Sequence, residues 1–293
     1  MHGWIILDKP LGLGSTSAVT AVKRALREGG YPKRKVGHGG TLDPLASGVL
    51  PIAIGEATKL AGRLLDSDKV YEFTIRFGVE TATLDAEGAV IATSDVRPTR
   101  DEVDAILPRF TGALEQVPPA YSALKVRGER AYDRARAGEA VVLAARAVTI
   151  RELTVVDASP EDVTLAAKVS KGTYIRSLAR DIAAALGSVG HVTMLRRTEA
   201  GPFTLDRAIS LDNLKQRATA RTLEHALLPL SAGLDDIPAL ALDPDQAGAL
   251  RQGRVLVGIA ADDGSMFAML DGVPLALVEV QDGHVRVVRG FNP

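Results

Sequence analysis

The run Trp4-Ile5-Ile6-Leu7 is apolar without interruption and is closed by Lys9-Pro10, which predicts a buried strand near the start of the chain. Over 15–27 the apolar positions Val19, Val22 and Leu26 fall three and four apart. That is one face of a helix, with Ser and Thr available for its N-cap. Residues 70–77 alternate in the Val-Tyr-Glu-Phe-Thr-Ile-Arg-Phe pattern of a half-buried strand, and 162–170 alternate in the same way. Thr99-x-x-Glu102 reads as a capping box, opening a helix whose apolar face is Val103, Ile106, Leu107 and Phe110. Tyr174-Ile175 leads into a helix with Leu178, Ile182 and Leu186 on one face, stopped by Gly187. Strands flank helices without a regular βαβ alternation, so the fold class is α+β with a mixed sheet.

The texture changes near Pro229. Residues 230–238 read as a linker, and beyond it short apolar strands are expected over 266–270, 274–281 and 284–289. Asp-Gly pairs at 263–264, 271–272 and 282–283 supply turns, a hairpin-rich pattern that fits a small β-barrel. The expected division is a large domain over 1–230 and a small one over 238–293. Within the first, 118–146 carries two prolines, many basic residues and little apolar periodicity, which predicts a mobile excursion facing a polyanion.

Charge sharpens this picture. The net charge of −1 looks neutral, yet 238–293 holds seven acidic and four basic residues, which leaves +2 for the rest. Lys23, Arg24, Arg27, Lys33, Arg34 and Lys35 face a single acid, Glu28. Lys125, Arg127, Arg130, Arg134, Arg136, Arg146 and Arg151 form a second basic cluster. A basic stripe on a near-neutral protein binds phosphate locally. Cysteine is absent, which rules out disulfides and thiolate metal sites and fits a reducing, cytoplasmic setting. His2, His38, His191, His225 and His284 lack ligand spacing, so no metal site is expected; nor is there a phosphate-loop or dinucleotide fingerprint. The apolar runs are too short for a membrane span.

The densest chemistry lies in Gly37-His38-Gly39-Gly40-Thr41-Leu42-Asp43-Pro44-Leu45-Ala46-Ser47-Gly48. One carboxylate, Asp43, sits among glycines that let backbone approach a ligand, and Pro44 restricts it to extended or turn conformations. This loop, followed by Gly55-Glu56-Ala57-Thr58-Lys59, resembles the signature of the TruB-type tRNA pseudouridine-55 synthases. Further pieces resembling that family follow in order: Asp8-Lys9-Pro10-x-Gly12, Asp66-Ser67-Asp68-Lys69-x-Tyr71, Tyr121-Ser122-Ala123-Leu124-Lys125, Lys171-Gly172-Thr173-Tyr174-Ile175-Arg176 and His191-Val192-x-x-Leu195-Arg196-Arg197. The resemblance covers about residues 4–230. Two positions depart from the family pattern: Gly39 stands where threonine is usual, and Ala82 where an aspartate is common.

The resemblance implies an isomerase without a cofactor that converts uridine 55 in the T loop of tRNA to pseudouridine. It implies a pseudouridine synthase catalytic domain, and 238–293 is similar to a PUA-type RNA-binding barrel. Asp43 is then the catalytic carboxylate, Arg176 the fixed cation that keeps it ionised, and Tyr71 the second catalytic group, stacking on the base. Asp85 is expected to hold the far side of Arg176, and Tyr174 and Leu195 to wall the pocket. His38 is placed to brace the stack vacated by a flipped base. Lys9, Lys59, Lys125 and Arg197 are candidate phosphate contacts. The chemistry is open among attack on the sugar C1′, a glycal route and addition to C6 of the base. The partner is tRNA, gripped at the T arm with the acceptor end as a second contact, by a monomer. Three other readings remain: a tRNA-folding chaperone in which binding is the main role, a two-carboxylate glycosidase using Asp43 and Asp85, and, among relatives, a guide-RNA-dependent ribosomal synthase. Aromatic residues at 4% and the basic clusters argue against the glycosidase.

Overall fold

The computed structural model describes residues 1–122, 124–126 and 128–292, and of Lys125 only the backbone. Ala123 and Arg127, named above, therefore lie outside the described residues, as does the Lys125 side chain. The chain divides into two compact units. One comprises Met1–Asp43, Leu50–Leu65 and Gly201–Pro293; the other comprises Pro44–Val49 and Asp66–Ala200.

The second unit is built on antiparallel strands in the order Gly190–Ala200, Lys69–Phe77, Asp162–Val169, Arg146–Ala158 and Gly112–Gln116. The start of the strand Ala46–Ile54 adds in parallel, pairing Ala46, Ser47 and Gly48 with Leu195, Arg196 and Arg197. Alternation places Phe73, Ile75 and Phe77 on one buried face, where the helix Ile175–Ala185 covers them with Leu178, Ile182 and Ala183. Each such large apolar side chain contributes roughly 1.5–3 kcal/mol by leaving water. The helix ends where expected, with Gly187 at a φ of 72° that glycine adopts without a Cβ penalty. The capping box is formed as well: Thr99 accepts from the Glu102 backbone, and Glu102 accepts from the Thr99 backbone. Its helix, Arg100–Ile106, stops short of Phe110, because Pro108 has no N–H to extend the ladder and the chain tightens into the 3₁₀ turn Leu107–Phe110. The 118–146 excursion carries the two-residue strands Lys125–Val126 and Glu129–Arg130 and the helix Ala131–Arg136.

In the first unit the strand Gly3–Lys9 buries Trp4, Ile5, Ile6 and Leu7 completely. The helix Ser15–Glu28 buries Val19, Val22 and Leu26 as its spacing predicts. Its N-cap is Gly14, however, with no side-chain cap, because Ser15 is used elsewhere. The presumed linker is corrected. Leu230–Gly233 is a 3₁₀ turn, Leu230, Gly233, Leu234 and Ile237 are buried, and Trp4 Nε1 donates to the Leu230 carbonyl at 3.3 Å. Tight packing on the indole explains the glycine: a Cβ at Gly233 would lie 2.8 Å from the Trp4 ring.

The C-terminal sheet runs Ala239–Ala241, Gly264–Leu270, Val273–Gln281, His284–Gly290. Asp271-Gly272 and Asp282-Gly283 have positive φ at both residues, the two-residue turns expected of Asp-Gly hairpins. Asp263-Gly264 is no such turn, since Gly264 already begins a strand. The helix Pro244–Arg251 was not anticipated, although Asp243 and Gln246 form a capping box; Leu250 and Arg251 close this helix and the chain turns only at Gln252 and Gly253. A small C-terminal sheet is therefore present.

Candidate functional site

The loop bearing Asp43 hangs on a short ladder. The strand Val36–His38 pairs with Ile52–Ile54, and Gly39 N–H continues the pairing to the Pro51 carbonyl at 2.9 Å. Gly40, at a φ of 138°, turns its N–H back to His38 Nδ1 at 3.4 Å. Gly39 is closely packed as well as departing from the family pattern, for a Cβ there would sit 2.6 Å from Leu64 Cδ1. The residue before Asp43 is clamped: Ser15 Oγ donates to the Leu42 carbonyl at 2.9 Å and accepts its N–H at 2.8 Å. Asp43 follows, half-buried, leading into the turn Pro44-Leu45. The sequence offers the Ser and Thr residues here only as cap candidates and hides this clamp, since nothing local marks a serine as serving a loop 27 residues away.

Arg176 is the second residue of its helix and is 7% exposed, so it is no ordinary surface arginine. Its Nη1 donates to Asp85 Oδ2 at 3.1 Å and to the Thr83 carbonyl at 2.9 Å; its Nη2 donates to the Tyr121 carbonyl at 3.0 Å. The Asp85 pairing anticipated from the sequence is formed, with both side chains buried. Asp85 is fixed in turn. Its Oδ1 accepts from Thr83 Oγ1 and from the Glu87 N–H, and its carbonyl accepts from Thr81 Oγ1 at 2.6 Å. Leu84 between them sits at a φ of 61°, a left-handed conformation rare for a branched residue and held here by the surrounding bonds. Ala82 contributes only its backbone N–H, donated to Ala89, so this departure falls on a residue outside the side-chain network. Tyr174 is the N-cap of the Arg176 helix, and Gln116 grips its backbone from both sides. Gln116 went unread in the sequence, as a single glutamine before Val117-Pro118 carries no signal.

Tyr71 is half-buried on its strand and packs against the same apolar cluster as Leu195. Directly opposite it stands Arg197, whose guanidinium lies 6.0 Å from the ring centroid and whose Nη1 donates to the phenolic oxygen at 3.4 Å. Arg197 is 1% exposed, and its Nε donates to the Val49 carbonyl at 2.8 Å. The expectation of a phosphate contact at Arg197 is thereby corrected: a guanidinium buried against the Val49 carbonyl and the Tyr71 ring has no face for a phosphate. Lys9 is corrected for the same reason, being fully buried with its Nζ donating to the carbonyls of Leu13 and Pro10. Lys59 is partly exposed, and its ammonium bonds Glu56 and the Gly290 carbonyl. Lys69 lies two residues before Tyr71 on the same strand. Burial foremost, then the neighbouring Arg197 charge, pulls its ammonium down to about 8.

The exposed cations lie elsewhere. Lys23, Arg24, Arg27, Lys33, Arg34 and Lys35 are all solvent-exposed. In the excursion, Tyr132 is flanked by the guanidiniums of Arg130 and Arg136 at 5.7 and 5.4 Å from its ring.

Comparison with known proteins places these features in a family. The model of the TruB family pseudouridylate synthase N-terminal domain matches residues 27–175, and that of the tRNA pseudouridylate synthase B C-terminal domain matches 176–235. A protein named tRNA pseudouridine synthase B from Novosphingobium aromaticivorans is 64% identical over 297 residues, spanning 100% of this chain and 98% of its own. Its namesake from Zymomonas mobilis subsp. mobilis is 63% identical over 292 residues, spanning 100% and 96%. Among solved structures, an H/ACA RNP bound to a substrate RNA containing 2′-deoxyuridine is similar at a TM-score of 0.76 and 25% identity, covering 99% of this chain and 85% of that one. An archaeal box H/ACA sRNP complex is similar at a TM-score of 0.74 and 25% identity, covering 99% and 86%. On the family-model match and on these identities, the chain belongs to the TruB family of pseudouridylate synthases.

Proposed function

We propose that this protein isomerises uridine to pseudouridine in tRNA, at position 55 of the T loop, with Asp43 as the catalytic carboxylate. The observation that carries the reading is the family match along the chain, which takes in the Asp43 loop, the Tyr71 strand and the Arg176 helix. The reaction breaks an N–C glycosidic bond, turns the uracil and joins its C5 to C1′ of the sugar. C1′ attack, a glycal route and C6 addition all call for one ionised carboxylate held in a fixed direction, and Asp43 before Pro44 meets that need. Arg176 supplies a permanent positive charge, locked by Asp85, Thr83 and Tyr121 so that little is lost in ordering it during reaction. Tyr71 stacks on the base and handles a proton during rearrangement, with Tyr174 and Leu195 as pocket walls. The uridine is flipped out of its stack, at a cost of a few kcal/mol, and His38 braces the gap.

The exposed cations of 23–35 and the excursion 118–146 are assigned to the T arm, and 238–293, read as PUA-like, to the acceptor end. The protein works as a monomer in the cytoplasm. The test is to incubate unmodified tRNA transcript with the purified protein and map pseudouridine at single-nucleotide resolution. Product confined to position 55 supports the reading, and product at other uridines or none overturns it.

A further inference from the structure

Arg197 lies where three strands meet and is spent on none of the tasks assigned so far. Its cross-strand neighbours are Tyr71 on one side and Gly48 on the other. The approach to Gly48 is so close that a Cβ there would lie 2.1 Å from the Arg197 carbonyl, and Gly48 adopts a φ of 101°. A register shift follows Arg197 in its pairing with the Tyr71 strand. Enclosing a guanidinium among strands costs several kcal/mol unless its donors are used. Nε is used on the Val49 carbonyl and Nη1 on the Tyr71 hydroxyl, while Cζ lies over the Tyr71 ring.

We propose that Arg197 is a positioning residue that fixes the ring and the proton direction of Tyr71; this rests on the reading that Tyr71 works on the flipped base. Arginine donates and cannot accept, so the bond to the phenolic oxygen takes one of its lone pairs and leaves the phenol's own proton pointing elsewhere. The tyrosine is thereby set as a donor toward the reacting base, with its ring held by the guanidinium above it. A lysine keeps the charge but not the planar fork that serves Val49 and Tyr71 together.

The experiment is a double-mutant cycle on the full-length protein, read as the single-turnover rate of pseudouridine formation in tRNA transcript. Arg197→Met and Arg197→Lys are each made alone and in the Tyr71→Phe background, with thermal melting run in parallel. Arg197→Met is expected to slow the rate at saturating tRNA by about tenfold to a hundredfold, the scale set by misplacing a reacting group. The tRNA concentration for half-saturation should stay within about twofold, and in the Tyr71→Phe background the same change should cost less than about threefold. Arg197→Lys should fall between the unsubstituted protein and Arg197→Met. Equal losses in both backgrounds overturn the proposal alone. So does weaker tRNA binding with an unchanged saturated rate, which marks a phosphate contact, or unfolding of both Arg197 variants, which marks a purely structural residue. An undiminished rate for Tyr71→Phe overturns the reading beneath it, and the proposal with it.

Discussion

Arg176 concentrates the residue-scale argument, because its charge is buried against a buried partner. Removing it strands Asp85, so Arg176→Met should cost roughly 3–5 kcal/mol in denaturant unfolding as well as abolishing turnover. Arg176→Lys should keep much of the stability and still fail in turnover, since a point charge cannot span Asp85, Thr83 and Tyr121. Near-normal turnover of Arg176→Lys would show that the fork is not what matters. Ser15 offers a milder test on the Asp43 side. Ser15→Ala leaves the Leu42 N–H and carbonyl without their partner, for about 1–3 kcal/mol, and should slow the reaction by loosening the residue before Asp43. Lys69 gives a pH signature. Its folded value of about 8 lies below the ordinary 10.5, so the unfolded chain binds the extra proton in between. Stability from this group therefore rises as pH climbs from about 8 to 10.5 and is flat below 8. Lys69→Met should remove that slope in unfolding free energy measured across the window, and an unchanged slope would deny the burial effect.

At the scale of elements, packing on Trp4 makes a prediction that the sequence did not suggest. Trp4 is the lone tryptophan, so its fluorescence reports the 230–233 turn directly. Gly233→Val should push that turn off the indole, destabilise by about 1–3 kcal/mol and shift emission to the red; unchanged emission would contradict the contact. What was legible followed from whether a single face decides an element. The Lys69–Phe77 and Asp162–Val169 strands bury one face and show clean alternation, and the Thr99–Glu102 box announces its helix. The strand Arg146–Ala158 was not anticipated, because register shifts near Ile150 and Val155 break its period and part of it is exposed. The 230–238 segment read as a linker because small residues and Asp-Asp-Ile-Pro look solvated, and nothing local shows that a distant tryptophan packs on Leu230 and Gly233. At the candidate site, the motifs marked Asp43, Tyr71, Arg176 and Arg197, whereas Ser15 and Gln116 act on partners far away in sequence and carry no local mark. Phosphate roles for Lys9 and Arg197 failed because charge is visible in a sequence and burial is not.

For the molecule as a whole, net charge misleads where distribution informs. A protein at −1 presents six exposed cations over 23–35. Neutralising Lys33, Arg34 and Lys35 together should weaken tRNA binding and reduce the salt slope by about three contacts or fewer, with the saturated rate unchanged. A slope that stays put would remove that segment from the RNA surface. The central claim is that Asp43 does the chemistry, and the most direct measurement compares the unsubstituted protein with Asp43→Asn in single-turnover pseudouridine formation at saturating tRNA, with binding measured in parallel. The account predicts no detectable product from Asp43→Asn and tRNA affinity within a few fold of the original. Substantial product from that variant would contradict it.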